Sequence, residues 1–193
     1  MFNTRASGVL MHLTSIPSRY GVGVMGDETK RFIDKIKGMG FSYWQVLPLN
    51  PPDFHGSPYT SDAAFAISHM FVSPDELVKD GLVSAEDIER SVYYGSPYTA
   101  DYEFAYSARL ELLRKAYSNA GEAIKAKAEK FADENEWCKS YSLFMAAKEK
   151  FDNKPWYEWG EDFARYENCL KNADKLKDEA DFYAFVQYIA FSQ

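Results

Sequence analysis

The chain has 193 residues, is 46% hydrophobic and 17% aromatic, and carries a formal net charge of -7. That length buries a real core and sets one domain as the expectation. The acidic balance without a basic cluster argues against a nucleic-acid partner, and no run approaches the ~20 apolar residues of a membrane span.

The first residues, MFNTRASGVLMHLTS, lack a basic segment followed by a long apolar one, so no secretory signal is expected. Residues 8–11 read as a short strand ending at His12, Leu13, Thr14 and Ser15. A loop with Gly and Pro follows and closes at Asp27, an expected N-cap. Residues 28–37 then carry a helical pattern, with Phe32, Ile33, Ile36 and Met39 on one face. Gly38 and Gly40 end it, and residues 43–47 form a second apolar run, expected to be a buried parallel strand. Strand, helix and strand over this length make a βαβ unit, whose ligands meet the loops at the carboxyl ends of the strands. The loop after the second strand carries Asp53, Phe54, His55, Ser57, Tyr59 and Ser61, hydrogen-bonding groups and flat faces suited to a polar ring-shaped ligand.

Beyond Asp62 only helices are expected. Ser73-Pro74-Asp75-Glu76 is a capping box with proline at the first helical position, and Ser84-Ala85-Glu86-Asp87 resembles a second helix start. Residues 102–118 form a helix packing through Ala105, Arg109, Leu112, Leu113 and Ala116. Residues 122–133 are polar and read as a solvated helix, and Trp137, Tyr141, Phe144 and Phe151 mark an amphipathic one. Asp152-Asn153-Lys154-Pro155 breaks that helix before an aromatic loop with Trp156 and Trp159. Leu176, Ala180, Tyr183, Val186, Ile189 and Ala190 stripe a last helix. Two parallel strands cannot close a sheet, and Gln193 stands inside an apolar helical pattern, so the sequence reads as the front of something larger.

The pentapeptide GSPYT occurs twice, at residues 56–60 and 95–99, with no other match at that period. A turn alone explains the second copy as well as a binding role does, whereas the first follows a strand and favours a site. Trp156 and Trp159 beside a helix break are more often core pins than sugar platforms. His12 at a strand end either bonds a ligand hydroxyl or ties its loop down. His55 and His69 lack partners at metal spacing, so no metal is expected. Cys138 and Cys169 show neither metal spacing nor a disulfide framework, which fits a reducing cytoplasm. Glycoside chemistry requires two positioned carboxylates, and the spacing of Asp53 and Asp62 gives that pair no support.

Several stretches together resemble one family. They are RASGVLMHLTSIP at residues 5–17, SYWQVLPL at 42–49, GSPY at 56–59, YSLFMAAK at 141–148, KPWYEW at 154–159 and FYAFVQY at 182–188. In this order, covering nearly the whole chain, they are similar to the amino-terminal part of the 4-alpha-glucanotransferases, or amylomaltases, of glycoside hydrolase family seventy-seven. The resemblance implies an α/β fold: the first βαβ unit of a TIM (β/α)8 barrel in residues 1–61, then a mostly helical insertion subdomain in residues 62–193. It implies transfer of α-1,4-glucan segments between maltodextrins, with retention and no cofactor. It places the catalytic carboxylates on later barrel strands, so no catalytic residue is expected here. Ser57 and Tyr59 match the family's donor-side sugar contacts, and Phe54 stands where a glycan-stacking tyrosine is common. Gly56 replaces a common aspartate and Asn50 a common glycine. A non-catalytic maltodextrin-binding or partner module of this length is the alternative reading, and a helical interaction protein without a sugar site is the third.

Overall fold

A computed structural model of the chain describes residues 5–52, 56–96 and 98–193. It divides into two compact units, one of Met1–Asn119 with Gln193 and one of Ala120–Ser192.

In the first unit β1 (Gly8–Leu10) and β2 (Tyr43–Gln45) form a parallel pair in the register Gly8 to Tyr43, Val9 to Trp44 and Leu10 to Gln45. Between them runs α1 (Asp27–Gly38), which completes the expected βαβ order. Both strands are shorter than expected, although the Met11 N–H still donates to the Gln45 carbonyl at 3.1 Å. The expectation of buried strands is corrected. In each strand only the central residue, Val9 or Trp44, is half-buried, while Leu10 is 62% and Tyr43 49% exposed. Side chains alternate across a strand, and only one face is covered: Phe32 of α1 meets Trp44 edge-on at 5.2 Å. So narrow a platform also needs little of the helix, which is why Ile36 is buried whereas Ile33 and Met39 stay exposed. Asp27 is not the cap; Gly26 holds that position without a side-chain bond. Asp27 opens the helix instead, where its carboxylate suits the positive end of the dipole and accepts from Lys79 at 3.0 Å.

The chain then makes a 3₁₀ turn at His69–Phe71, α2 (Pro74–Lys79), a second 3₁₀ stretch at Asp87–Ser91, and α3 (Tyr102–Asn119). Leu13, Ile16, Val22, Met70, Phe71 and Ala105 cluster as a core beneath the loops that leave the strands. The buried face of α3 is Ala105, Arg109, Leu112, Leu113 and Ala116, as its periodicity predicts.

The second unit contains α4 (Glu122–Glu134), α5 (Glu136–Lys150), α6 (Tyr166–Lys171) and α7 (Lys177–Ser192), with α7 packed on both α4 and α5. That double contact buries Phe182, Ala184, Phe185 and Gln187 in addition to Tyr183, Val186, Ile189 and Ala190 of the expected stripe, while Ala180 is only half-buried. The break after α5 places Asp152 and Asn153 at φ 54 and 60, a left-handed conformation that these two residue types tolerate best. The tryptophan pair divides. Trp159 is a core pin, donating Nε1–H to the Lys154 carbonyl at 2.7 Å and stacked parallel to Phe151, while Trp156 is exposed.

Candidate functional site

The loop leaving β1 folds back on itself. Its Gly23 N–H donates to the Thr14 carbonyl at 3.3 Å, and a side chain at Gly23 would begin 2.0 Å from the Leu13 carbonyl oxygen. Farther along, buried Tyr20 lies between two guanidinium groups, with Arg19 and Arg109 each 5.1 Å from its ring centre. Burial, then the neighbouring Asp75 carboxylate, pushes the Tyr20 phenol well above its usual range. Burial also pushes Arg109 down to about 9, and none of its three guanidinium nitrogens has a hydrogen-bond partner among the described residues. His69 is enclosed beside it, donating Nε2–H to the Tyr106 carbonyl at 3.1 Å, and desolvation lowers it to about 4. These groups are neutral or fixed at physiological pH, so they brace the loop rather than exchange protons.

The loop leaving β2 is tied at both ends. Trp44 Nε1–H donates to the Met11 carbonyl at 2.8 Å, and the Ser68 N–H to the Leu49 carbonyl at 2.8 Å. Gly56 has φ +76, which only glycine adopts without strain, and its Cα faces the ring of Tyr102 closely enough that a Cβ would sit 3.5 Å away. The Tyr102 hydroxyl in turn donates to Thr14 Oγ1 at 3.3 Å, joining this loop's support to the loop of β1. Next comes a compact turn in which Ser57 Oγ accepts from the Tyr59 N–H at 3.3 Å and the Ser57 carbonyl from the Thr60 N–H at 3.4 Å. Tyr59 is 74% exposed at its tip. Ser57 and Tyr59 are thus brought together, while Phe54, with Asp53 and His55, lies outside the described residues.

Tyr102 was legible in the sequence only as a helix start. The approach of its ring to Gly56 brings together segments far apart in the chain. At the strand ends, His12 Nδ1 and Asn50 Oδ1 are both buried without a partner among the described residues. His12 meets Phe71 edge-on at 5.7 Å, so packing holds its ring, and burial lowers its pKa. In the second GSPYT copy Ser96 Oγ accepts from the Tyr98 N–H at 3.3 Å and the Ser96 carbonyl from the Thr99 N–H at 3.4 Å, although Gly95 lacks the positive φ of Gly56.

Comparison with known proteins accounts for this arrangement. A family model described as 4-alpha-glucanotransferase matches residues 11–193. The 4-alpha-glucanotransferase of Aquifex aeolicus is 39% identical over 98% of this chain, and that of Streptococcus pneumoniae 38% identical over 98%. The fold superposes with a TM-score of 0.90 on an amylomaltase from Streptococcus agalactiae in complex with acarbose, at 32% identity over 98% of this chain. The chain spans 39% of the length of the Aquifex relative and 39% of the amylomaltase chain. A match that runs through both strand loops and every helix shows that this chain belongs to the 4-alpha-glucanotransferase family.

Proposed function

We propose that this chain provides the glucan-facing opening of a 4-alpha-glucanotransferase that moves α-1,4-glucan segments between maltodextrins by a retaining mechanism. The observation that carries this reading is the Ser57 and Tyr59 turn, presented just beyond a parallel strand pair in a chain matched to that family from residue 11 to 193. In this reading β1 and β2 are the first two strands of a TIM barrel, and ligands of such barrels meet the carboxyl ends of the strands. The exposed face bearing Leu10 and Tyr43 is where further strands of the same barrel pack. Residues 1–61 are the barrel opening and 62–193 an insertion, the first half of which packs with the opening and the second half of which forms its own helical unit. The similar amylomaltase was solved in complex with acarbose, which supports a maltodextrin as the ligand. Tyr59 supplies a ring face and a hydroxyl, Ser57 a second hydroxyl, and Phe54 a further flat face. No helix among the described residues is long and apolar enough to cross a membrane, in keeping with a cytoplasmic enzyme. No cofactor is required.

Retaining transfer needs a nucleophile and an acid/base carboxylate about 5–5.5 Å apart. The resemblance places both on later strands, so these 193 residues bind but do not turn over. Incubation of the chain with maltotriose is expected to release no glucose and no longer maltodextrin above a mock preparation, and turnover would overturn this part. Titration with maltoheptaose tests the binding. Tyr59→Phe removes one hydrogen bond, worth about 0.5–1.5 kcal/mol, and Tyr59→Ala removes the ring contact as well, worth about as much again. Affinity is expected to fall in that order with Tm unchanged; equal affinity for Tyr59→Ala and wild type rules the role out.

A further inference from the structure

We propose that Tyr102 positions the Ser57 and Tyr59 turn for its glucan, acting on it through Gly56. The inference rests on the glucan-binding role given to that turn and names the side chain that sets its place.

Tyr102 is itself held from two directions. It opens α3, and Asp101 before it fastens the helix start. The Asp101 N–H donates to the Gly21 carbonyl in the loop leaving β1 at 3.0 Å, and its Oδ1 caps the helix by accepting from the Phe104 N–H at 2.9 Å. The half-buried ring packs against the core that includes Leu13 and Phe71. Its hydroxyl donates to Oγ1 of buried Thr14 at 3.3 Å. One side chain is thus tied at its root and at its tip to the loop of β1.

The face of that ring meets the other loop. A Cβ on Gly56 would stand 3.5 Å from Cγ, Cδ2 and Cε2 of Tyr102 alike. A point equally far from three consecutive atoms of a six-membered ring lies on the axis through the ring centre. The Gly56 hydrogen on that side therefore points at the face of the ring, where the negative end of the quadrupole attracts a C–H. The turn begins at this residue: Gly56 leaves at φ +76, and Ser57 Oγ then accepts from the Tyr59 N–H at 3.3 Å. Tyr59 is 74% exposed and gains little from its own packing, so the place of the turn is set from the ring beneath Gly56. A turn held before the glucan arrives is spared part of the ordering cost of binding.

The test joins proton NMR of Gly56 to titration of the 193-residue chain with maltoheptaose. In the wild type one Gly56 Hα is expected well upfield of the other, because it lies in the shielding cone of Tyr102. Tyr102→Phe keeps that shift and Tyr102→Leu abolishes it; two unshifted protons in the wild type overturn the contact. Tyr102→Leu is expected to weaken maltoheptaose binding about three- to tenfold, and Tyr102→Phe to recover most of the affinity. Tyr102→Met takes the place of Tyr102→Leu if the latter does not fold. A residue that acts only through the turn adds nothing once Tyr59 is gone, so the double variant with Tyr59→Ala is expected to bind no more weakly than Tyr59→Ala alone. A loss of stability elsewhere would not produce that pattern, and losses that add overturn the positioning role. Wild-type affinity in Tyr102→Leu beside weakened binding in Tyr59→Ala overturns this inference and leaves the proposed function standing. Wild-type affinity in Tyr59→Ala overturns the role of the turn and this inference with it.

Discussion

At the scale of the residue, close approach decides more than composition does. Gly23 carries no chemistry, but a methyl there meets the Leu13 carbonyl at 2.0 Å and the Ile16 carbonyl at 2.9 Å. Backbone oxygens cannot swing aside as a flexible side chain does, so the loop leaving β1 has to open. Gly23→Ala is expected to destabilise the chain by about 1–3 kcal/mol, the usual cost of overpacking. Urea melts check it, and an unchanged midpoint would show that the loop relaxes freely. The conformation of Gly56 is the other constraint of this kind, since its positive φ sets the direction in which Ser57 and Tyr59 leave the strand. The family's common aspartate at this position would have to bear that strain.

At the scale of the element, the start of α2 was legible because capping is local, whereas α1 is capped by Gly26 and not by the expected Asp27. Ser73 Oγ accepts from the Glu76 N–H with Pro74 at the first helical position, but the reciprocal half of the expected box does not form: the Ser73 N–H donates to Gln193 Oε1 at 2.7 Å, and Glu76 pairs with Lys30 and Lys79. Ser84 and Asp87 cap each other reciprocally, Asp87 Oδ2 accepting from the Ser84 N–H at 2.8 Å and Ser84 Oγ from the Asp87 N–H at 3.1 Å. The stretch after the second box is 3₁₀ rather than α, a length too short for the motif to choose between them. Removing a cap costs about 0.5–2 kcal/mol. Ser73→Ala is expected near the upper end, because Ser73 is fully buried and water cannot replace its oxygen, and Ser84→Ala near the lower end at an exposed position. Equal losses for the two in chemical denaturation would count against burial as the cause. The strands were the least legible elements: their apolar content predicts burial, but burial requires a partner on each face, and α1 covers only one.

For the whole molecule, the buried polar group that matters is His69. In the folded chain it stays neutral down to about pH 4, whereas its ordinary value is 6.5. Between those values the unfolded chain binds a proton that the folded one refuses, so stability falls as pH drops from 6.5 to 4. A shift of that size corresponds to about 3 kcal/mol at 1.36 kcal/mol for each pH unit. Arg109 beside it adds to the effect by repelling the imidazolium, while the Tyr106 carbonyl opposes it. Melts of wild type and His69→Gln at pH 7 and pH 4.5 test this. The wild type is expected to lose more stability on acidification than the variant, and parallel losses would place the acid sensitivity elsewhere.

Sequence alone determined the βαβ order, the packing stripe of α3, the caps of α2 and the 3₁₀ stretch after Ser84, and the family. Each of these is written in short-range spacing or in motifs that keep their order along the chain. It did not show that the ring of Tyr102 lies toward Gly56, or that Trp159 rather than Trp156 enters the core. Tertiary structure alone decided these, because each depends on which distant segment arrives beside a residue. Burial and directed contact are properties of pairs, and a periodic pattern names only one member of the pair.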